Sequence, residues 1–157
     1  MEAGVPQSMA ELEELLGRES PESRRLAEDI RDNPICCIDY DPEIPGIVVT
    51  WRRYASRLQL RYVHEKLLGL IKVHGARKIL GDDTSFSAID RVDQAWILED
   101  WLPRALKAGF RAAASKRPAG YFGRLTTEAI QSQLKPIRIQ SFEDLASARD
   151  WLIRCEV

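Results

Sequence analysis

The sequence predicts an α/β fold with α+β character: a small mixed five-stranded sheet covered by helices and preceded by a helical extension. Three observations predict it. The run Ile47-Val48-Val49-Thr50 is β-branched throughout, as expected of an interior strand buried on both faces. Residues 56–74 carry Leu60, Val63, Leu67, Leu70, Ile71 and His74 within about 100° of arc, the one-sided apolar stripe of a helix lying on a core. Gly75 to Gly109 reads as a short apolar strand, an acidic and hydroxyl-rich turn, and a helix ending at glycine, which is the repeating unit of an open sheet.

Such sheets hold ligands at the carboxyl ends of their strands, so residues 82–87 are the first place to look for function. The chain has 157 residues, 45% of them apolar and 30% charged, the composition of one globular domain with a core of its own. Its apolar runs are too short to cross a bilayer. Its amino terminus, MEAGVPQSMAELEELL, lacks the basic start and apolar stretch of a secretory signal, so a cytoplasmic location is expected.

Charge is unevenly placed. Residues 1–33 hold nine acids and four bases, whereas the other 124 residues hold fifteen acids and nineteen bases. We therefore divide the chain into an acidic helical leader, 1–33, and a domain, 34–157. Neither part is basic enough to point to nucleic acid. Of the three cysteines, Cys36 and Cys37 are adjacent on a strand, so one faces the core and the other outward; Cys155 has no CxxC partner. Neither a disulfide framework nor a metal is expected.

In chain order, Met9, Leu12, Leu15 and Leu16 make a narrow helical stripe that stops at Gly17, and Ser20-Pro21 opens a second acidic helix to about Asp32. Residues 35–40 and 47–54 are strands joined by the turn formers Asp41, Pro42, Pro45 and Gly46 as a hairpin. Gly75 ends the helix of residues 56–74 as its C′ residue. Arg77 to Leu80 is a strand that Gly81 lets turn sharply, and Ser87 with Asp90 forms a capping box starting a helix at Ala88. Along that helix Ile89, Val92 and Trp96 share one face and Leu98, Trp101, Leu102 and Ala105 nearly the opposite one, so a kink or break is expected near residues 98–103, beside Pro103. Residues 110–115 are strand by position despite their alanines, Pro118 to Gly123 is a loop with Tyr121 and Phe122, and Thr126 or Thr127 caps a short helix. A last strand, Ile137 to Gln140, precedes a helix capped by Ser141, with Leu145, Ala148 and Leu152 inward.

The candidate site residues are Asp82, Asp83, Thr84, Ser85 and Ser87 at the strand end. Paired aspartates there suit a hard metal or acid–base work, but with no third carboxylate or histidine nearby in sequence they are expected to bond the turn's own amides. His64 at the edge of the stripe and His74 at its end read as one partly buried and one capping histidine. Ser85 and Ser87 have no G-x-S-x-G setting. Arg53, Arg57 and Arg61, with Arg52, form a row suited to an anion or to a solvated helix face. Trp96 and Trp101 are expected in the core, with one of them left off the main stripe as an aromatic contact for a partner.

The segment AWILEDWLPRALKAGFRAAASKRPAGYFGRLTTEAI, followed by IRIQSFEDLASARDWL, resembles bacterial STAS-like proteins similar to the sporulation anti-sigma-factor antagonist. The resemblance rests on Trp96 with the Trp101-Leu102-Pro103 turn, on Phe122-Gly123, and on Phe142, Ala148 and Trp151-Leu152, over about residues 35–153. It implies a small mixed sheet, no cofactor, and binding in place of catalysis. In signalling STAS domains an Asp-Ser pair at a strand end is the phosphorylation switch, which places Thr84 or Ser85 in that role here. The expected function is a cytoplasmic, non-enzymatic interaction or regulatory module that binds a protein partner or a second copy of itself. The alternative is a carrier or sensor of a small apolar ligand held between the sheet and the Trp96 to Pro103 helix.

Overall fold

Five short strands form one mixed sheet in the order β1-β2-β3-β4-β5 in a computed structural model of the chain, which describes residues 35–86, 90–118, 128, 132 and 137–157. β1 (Cys36–Asp41) and β2 (Gly46–Trp51) are an antiparallel hairpin. β3 (Lys78–Asp82), β4 (Ala112–Lys116) and β5 (Arg138–Phe142) then add in parallel, each beside the one before. Parallel neighbours require crossovers, and helices supply those from β2 to β3 and from β3 to β4. α1 (Arg57–His74) connects β2 to β3. α2 (Arg91–Trp96), a π-helical turn (Ile97–Trp101) and α3 (Leu102–Ala108) together connect β3 to β4. α4 (Leu145–Arg154) follows β5. The acidic leader, Ser87, Tyr121, Phe122 and the helix expected from Thr126 or Thr127 lie outside the described residues.

Alternation along the strands sorts the side chains onto two faces. Ile47, Val49 and Trp51 on β2, Ile79 on β3 and Ile139 on β5 face α1 and the α2–α3 segment, with Leu60, Leu67, Ile71 and Trp101 packed over them. Leu80, Ala112 and Ala114 face the other way and meet Ala148 and Leu152 of α4. Alanine is a poor strand former, but on β4 it brings α4 close: Ala112 is 0% and Ala148 0% exposed. Local propensity gives way here to packing. Ile44 in the hairpin loop is also fully buried in that second cluster, and Arg149 of α4 ties the loop down through Asp41 (2.6 Å) and Glu43 (2.5 Å).

α1 ends at Gly75 as its sequence predicts and begins one residue later than expected, with Ser56 as its cap. The Ser56 hydroxyl accepts from the Gln59 N–H, the Gln59 side chain accepts from the Ser56 N–H, and Gly75 closes the helix in the left-handed conformation at φ 61°. Cys36 is buried and Cys37 is partly exposed, as the alternation requires, and all three thiols are free.

Four local expectations are corrected. β3 does not turn at Gly81 but runs through it to Asp82. Glycine is there for space: a Cβ would lie 3.1 Å from Asp83 Oδ1. The cap of α2 is Asp90, whose carboxylate accepts from the Asp93 N–H at 3.0 Å and is held by Arg57, so this helix starts at Arg91. Ser141 lies within β5 opposite Ser115, and the cap of α4 is Asp144, which accepts from both the N–H and the hydroxyl of Ser147.

The fourth, the kink or break expected near residues 98–103, is corrected only in kind: the irregularity is there, as a π turn over Ile97–Trp101 and not as a break. The helix continues, and the Leu102 N–H reaches back to the Ile97 carbonyl, five residues away. A π turn holds about one residue more than an α turn, which rotates the rest of the helix by about 100°. Apolar positions that fall on opposite faces of a straight helix thereby reach one side: Trp96, Ile97, Trp101, Leu102 and Ala105 are all buried, while Val92 is 57% exposed. Pro103 follows directly on the π turn, where the regular helical hydrogen-bond ladder is already interrupted.

Candidate functional site

A cavity of about 170 Å³ opens at the carboxyl ends of β2, β3 and β4, between the sheet and the α1 and α2–α3 layer. Its origin is legible in the register. On the face that points to these helices, Gly81 pairs with Ser115 and Ile79 with Ala113, so the centre of the sheet carries small side chains where its flanks carry Val49 and Ile139. Leu67 of α1 and Trp101 of the π turn span the gap without filling it. Trp51 and Phe86 stand edge to face at 5.4 Å where the strands end.

The strand-end corner forms the lip. Asp82 Oδ1 accepts from both the Thr84 N–H (3.1 Å) and its hydroxyl (2.6 Å), an aspartate-closed turn. The Asp83 N–H donates to the Lys116 carbonyl, continuing the β3–β4 pairing, and the Phe86 N–H donates back to the Asp83 carbonyl. Asp83 and Phe86 line the cavity, whereas Ser85 is exposed to solvent. The Asp83 carboxyl folds back over Gly81. Burial pushes its pKa up to about 7, and the neighbouring Asp82 charge adds to the shift. Among the described residues no cation or hydrogen-bond donor contacts this carboxyl.

His64 lines the opposite wall from α1. Its Nδ1 lies 2.8 Å from the Leu60 carbonyl, which assigns the proton to that nitrogen and leaves Nε2 an acceptor. Trp101 and Trp96 stand edge to face on the ring at 5.1 and 6.0 Å, and burial pulls its pKa down to about 4, so it is neutral near pH 7. The Trp101 indole N–H donates to the His64 carbonyl at 2.7 Å, which fixes the wall. The Ser115 hydroxyl is 3.3 Å from that of Ser141. The result is an apolar chamber with one proton-holding carboxyl and one neutral imidazole.

Of the residues singled out from the sequence, Asp82, Asp83, Thr84 and Ser85 come together in this lip, and Ser87 is outside the described residues. The arginines do not form one open row. Arg57 is paired with Asp90 (2.9 Å) and Asp93 (2.8 Å). Arg61 is 5% exposed, with its guanidinium 4.9 Å from the Trp96 ring centroid and its Nε and Nη1 without a hydrogen-bond partner. Arg53 lies half-exposed in the turn before α1. Trp96 and Trp101, 6% and 4% exposed, are both core residues, because the π turn brings the second onto the face of the first. Phe86 and Ser115 are site residues that the sequence does not single out, and His64, expected only as a partly buried histidine, lines the same cavity; the signal for the cavity is the run of small residues on β4 opposite Gly81.

Among the described residues no three His, Cys, Asp or Glu side chains are grouped to hold a metal ion, and no helix is long and apolar enough to cross a membrane. No protein-family model and no curated protein matches this chain, so the functional reading rests on the cavity and its lip.

Proposed function

We propose that this chain is a non-catalytic, STAS-like regulatory module that carries or senses a small, largely apolar molecule in the chamber at the strand ends. The observation that carries the reading is the chamber itself. It lies at the carboxyl edge of a parallel sheet, where open α/β folds bind ligands, and an apolar cavity of ~150 Å³ is known to take benzene. Toluene is the simplest probe. In an NMR titration of the full chain it produces saturable shifts at the Trp101 indole and the Gly81 amide. Ala113→Leu, which places a larger side chain on the cavity floor, abolishes those shifts while the fold persists. Shifts that persist unchanged in the variant place the binding elsewhere.

A second reading, contact with a protein partner or a second copy of the chain at the corner, is favoured by one observation: Ser85 is exposed on a turn that Asp82 already holds in shape. Phe86 belongs to both surfaces, which gives an occupied chamber a route to the corner. In a pull-down from cytoplasmic extract, Ser85→Ala changes partner capture with no shift in Tm; equal capture argues against this reading.

A further inference from the structure

The chamber has a polar end that an apolar ligand leaves unanswered. Asp83 is the acidic group on its wall, and no arginine, lysine or charged histidine stands beside it among the described residues. The groups that face it are Asp82 on the same strand end, Cys36 on β1, whose thiol burial and its neighbours hold protonated with a pKa of about 12, and the neutral His64 on α1. Arg52, which follows β2, donates at 3.2 Å to the Cys37 sulfur and shares its charge with Asp82. The other lining groups near the mouth are the rings of Trp51 and Phe86, with Trp101 deeper. Asp83 is half-buried, and a carboxylate with little water and no positive partner is unfavourable, whereas aromatic faces attract cations.

Resting on the ligand-binding reading above, we infer that the ligand is a small amine carried as its ammonium, with its nitrogen against the Asp83 carboxylate and its apolar body between Trp101, Leu67 and Val49. An anion is repelled by Asp83 and Asp82. A neutral ligand either donates to the carboxylate without a charge of its own or accepts from the carboxyl in its protonated form. The two cases differ in proton count. Near pH 7 Asp83 is partly protonated; an ammonium stabilises its ionised form and expels a proton, whereas a neutral hydrogen-bond acceptor stabilises the acid and takes one up.

The test is isothermal titration of the full chain at pH 7 with benzylamine, benzyl alcohol and benzoate, each in two buffers of different ionisation enthalpy. Benzylamine is expected to bind at least ~10-fold tighter than benzyl alcohol and to release protons, with benzoate weakest. Asp83→Asn is expected to erase the preference for benzylamine and keep the binding of benzyl alcohol. Benzyl alcohol binding as tightly as benzylamine, or proton uptake in place of release, overturns the amine assignment while the chamber remains a binding site. If none of the three binds, and toluene does not either, the ligand-binding reading itself is overturned and the amine assignment with it. The proton count is measured on the wild-type chain and does not depend on how the variant folds.

Discussion

Arg104→Met lowers the unfolding free energy by about 3 kcal/mol, the lower end for a buried charge left without its partner, because Glu65 is buried while Arg104 is itself 33% exposed. Glu65 on α1 is 3% exposed, and Arg104 of α3 reaches it with both terminal nitrogens, Nη1 to Oε2 at 2.7 Å and Nη2 to Oε1. The same guanidinium bonds Asp100 through Nε (3.0 Å) and Nη2 (2.6 Å). The two carboxylates are not equivalent. Asp100, with its side chain 42% exposed, returns to water when the arginine is removed and loses little. Glu65 has no water to return to and must be buried as an unpaired charge or protonated. In a chain of this length each kcal/mol moves Tm by roughly 2–4 °C, so a fall on the order of 10 °C is expected. Replacing Glu65 by methionine as well recovers most of the loss, because the double variant buries no charge. Thermal and urea unfolding of the single and double variants measure this. A single-variant loss under about 1 kcal/mol, the range of a solvated surface pair, contradicts the assignment of Glu65 as dependent on Arg104.

Asp83→Asn stabilises the protein at pH 8, and the sign follows from where the protons sit. The carboxyl titrates at about 7 in the folded chain against 3.8 for an unperturbed aspartate, so the folded state binds the extra proton between those values. Its contribution is fully present below pH 4 and is lost as pH rises through about 7. At pH 8 the ionised side chain opposes folding by up to on the order of 4 kcal/mol, and the amide removes that opposition. His64 works in reverse. Its pKa falls from 6.5 to about 4 on folding, so its contribution is complete above pH 6.5 and is lost as pH falls through 4. Between pH 4 and 6.5 the two slopes oppose each other, and the asparagine variant therefore loses stability toward acid more steeply than the wild type. Asp41, Asp90 and Asp144, whose pKa values are lowered chiefly by an Arg149 hydrogen bond in the first and by backbone N–H groups in the other two, add acid sensitivity to both proteins alike. Urea unfolding at pH 5 and pH 8 reads the effect. A variant less stable than wild type at pH 8 contradicts it, since it means the carboxylate has a partner.

The sequence carried the sheet and α1 clearly, because those elements rest on local rules. The alternation at Cys36 and Cys37, the apolar stripe of α1 and the glycine at position 75 each follow from short-range geometry, and the strand-end location of the site follows from how parallel sheets are built. The features it did not show depend on contacts between distant residues. Arg61 lies in register with Arg53 and Arg57 yet turns inward over Trp96, a ring thirty-five positions away. Trp96 and Trp101 belong to one face only because Ile97 to Trp101 winds as a π turn, which a constant angle of 100° per residue cannot anticipate. Gly81 reads as a turn former in sequence, while in the fold its missing side chain makes room for the Asp83 carboxyl and, with Ser115 and Ala113 beside it, leaves the cavity open.

A crystal structure of the full-length chain soaked with toluene tests the central claim most directly. The account predicts density for one ring bounded by Val49, Leu67 and Trp101, under Phe86 and within reach of Asp83. A chamber closed by collapse of Trp101 or Phe86 onto Gly81 and Ala113, with no ring inside, contradicts it.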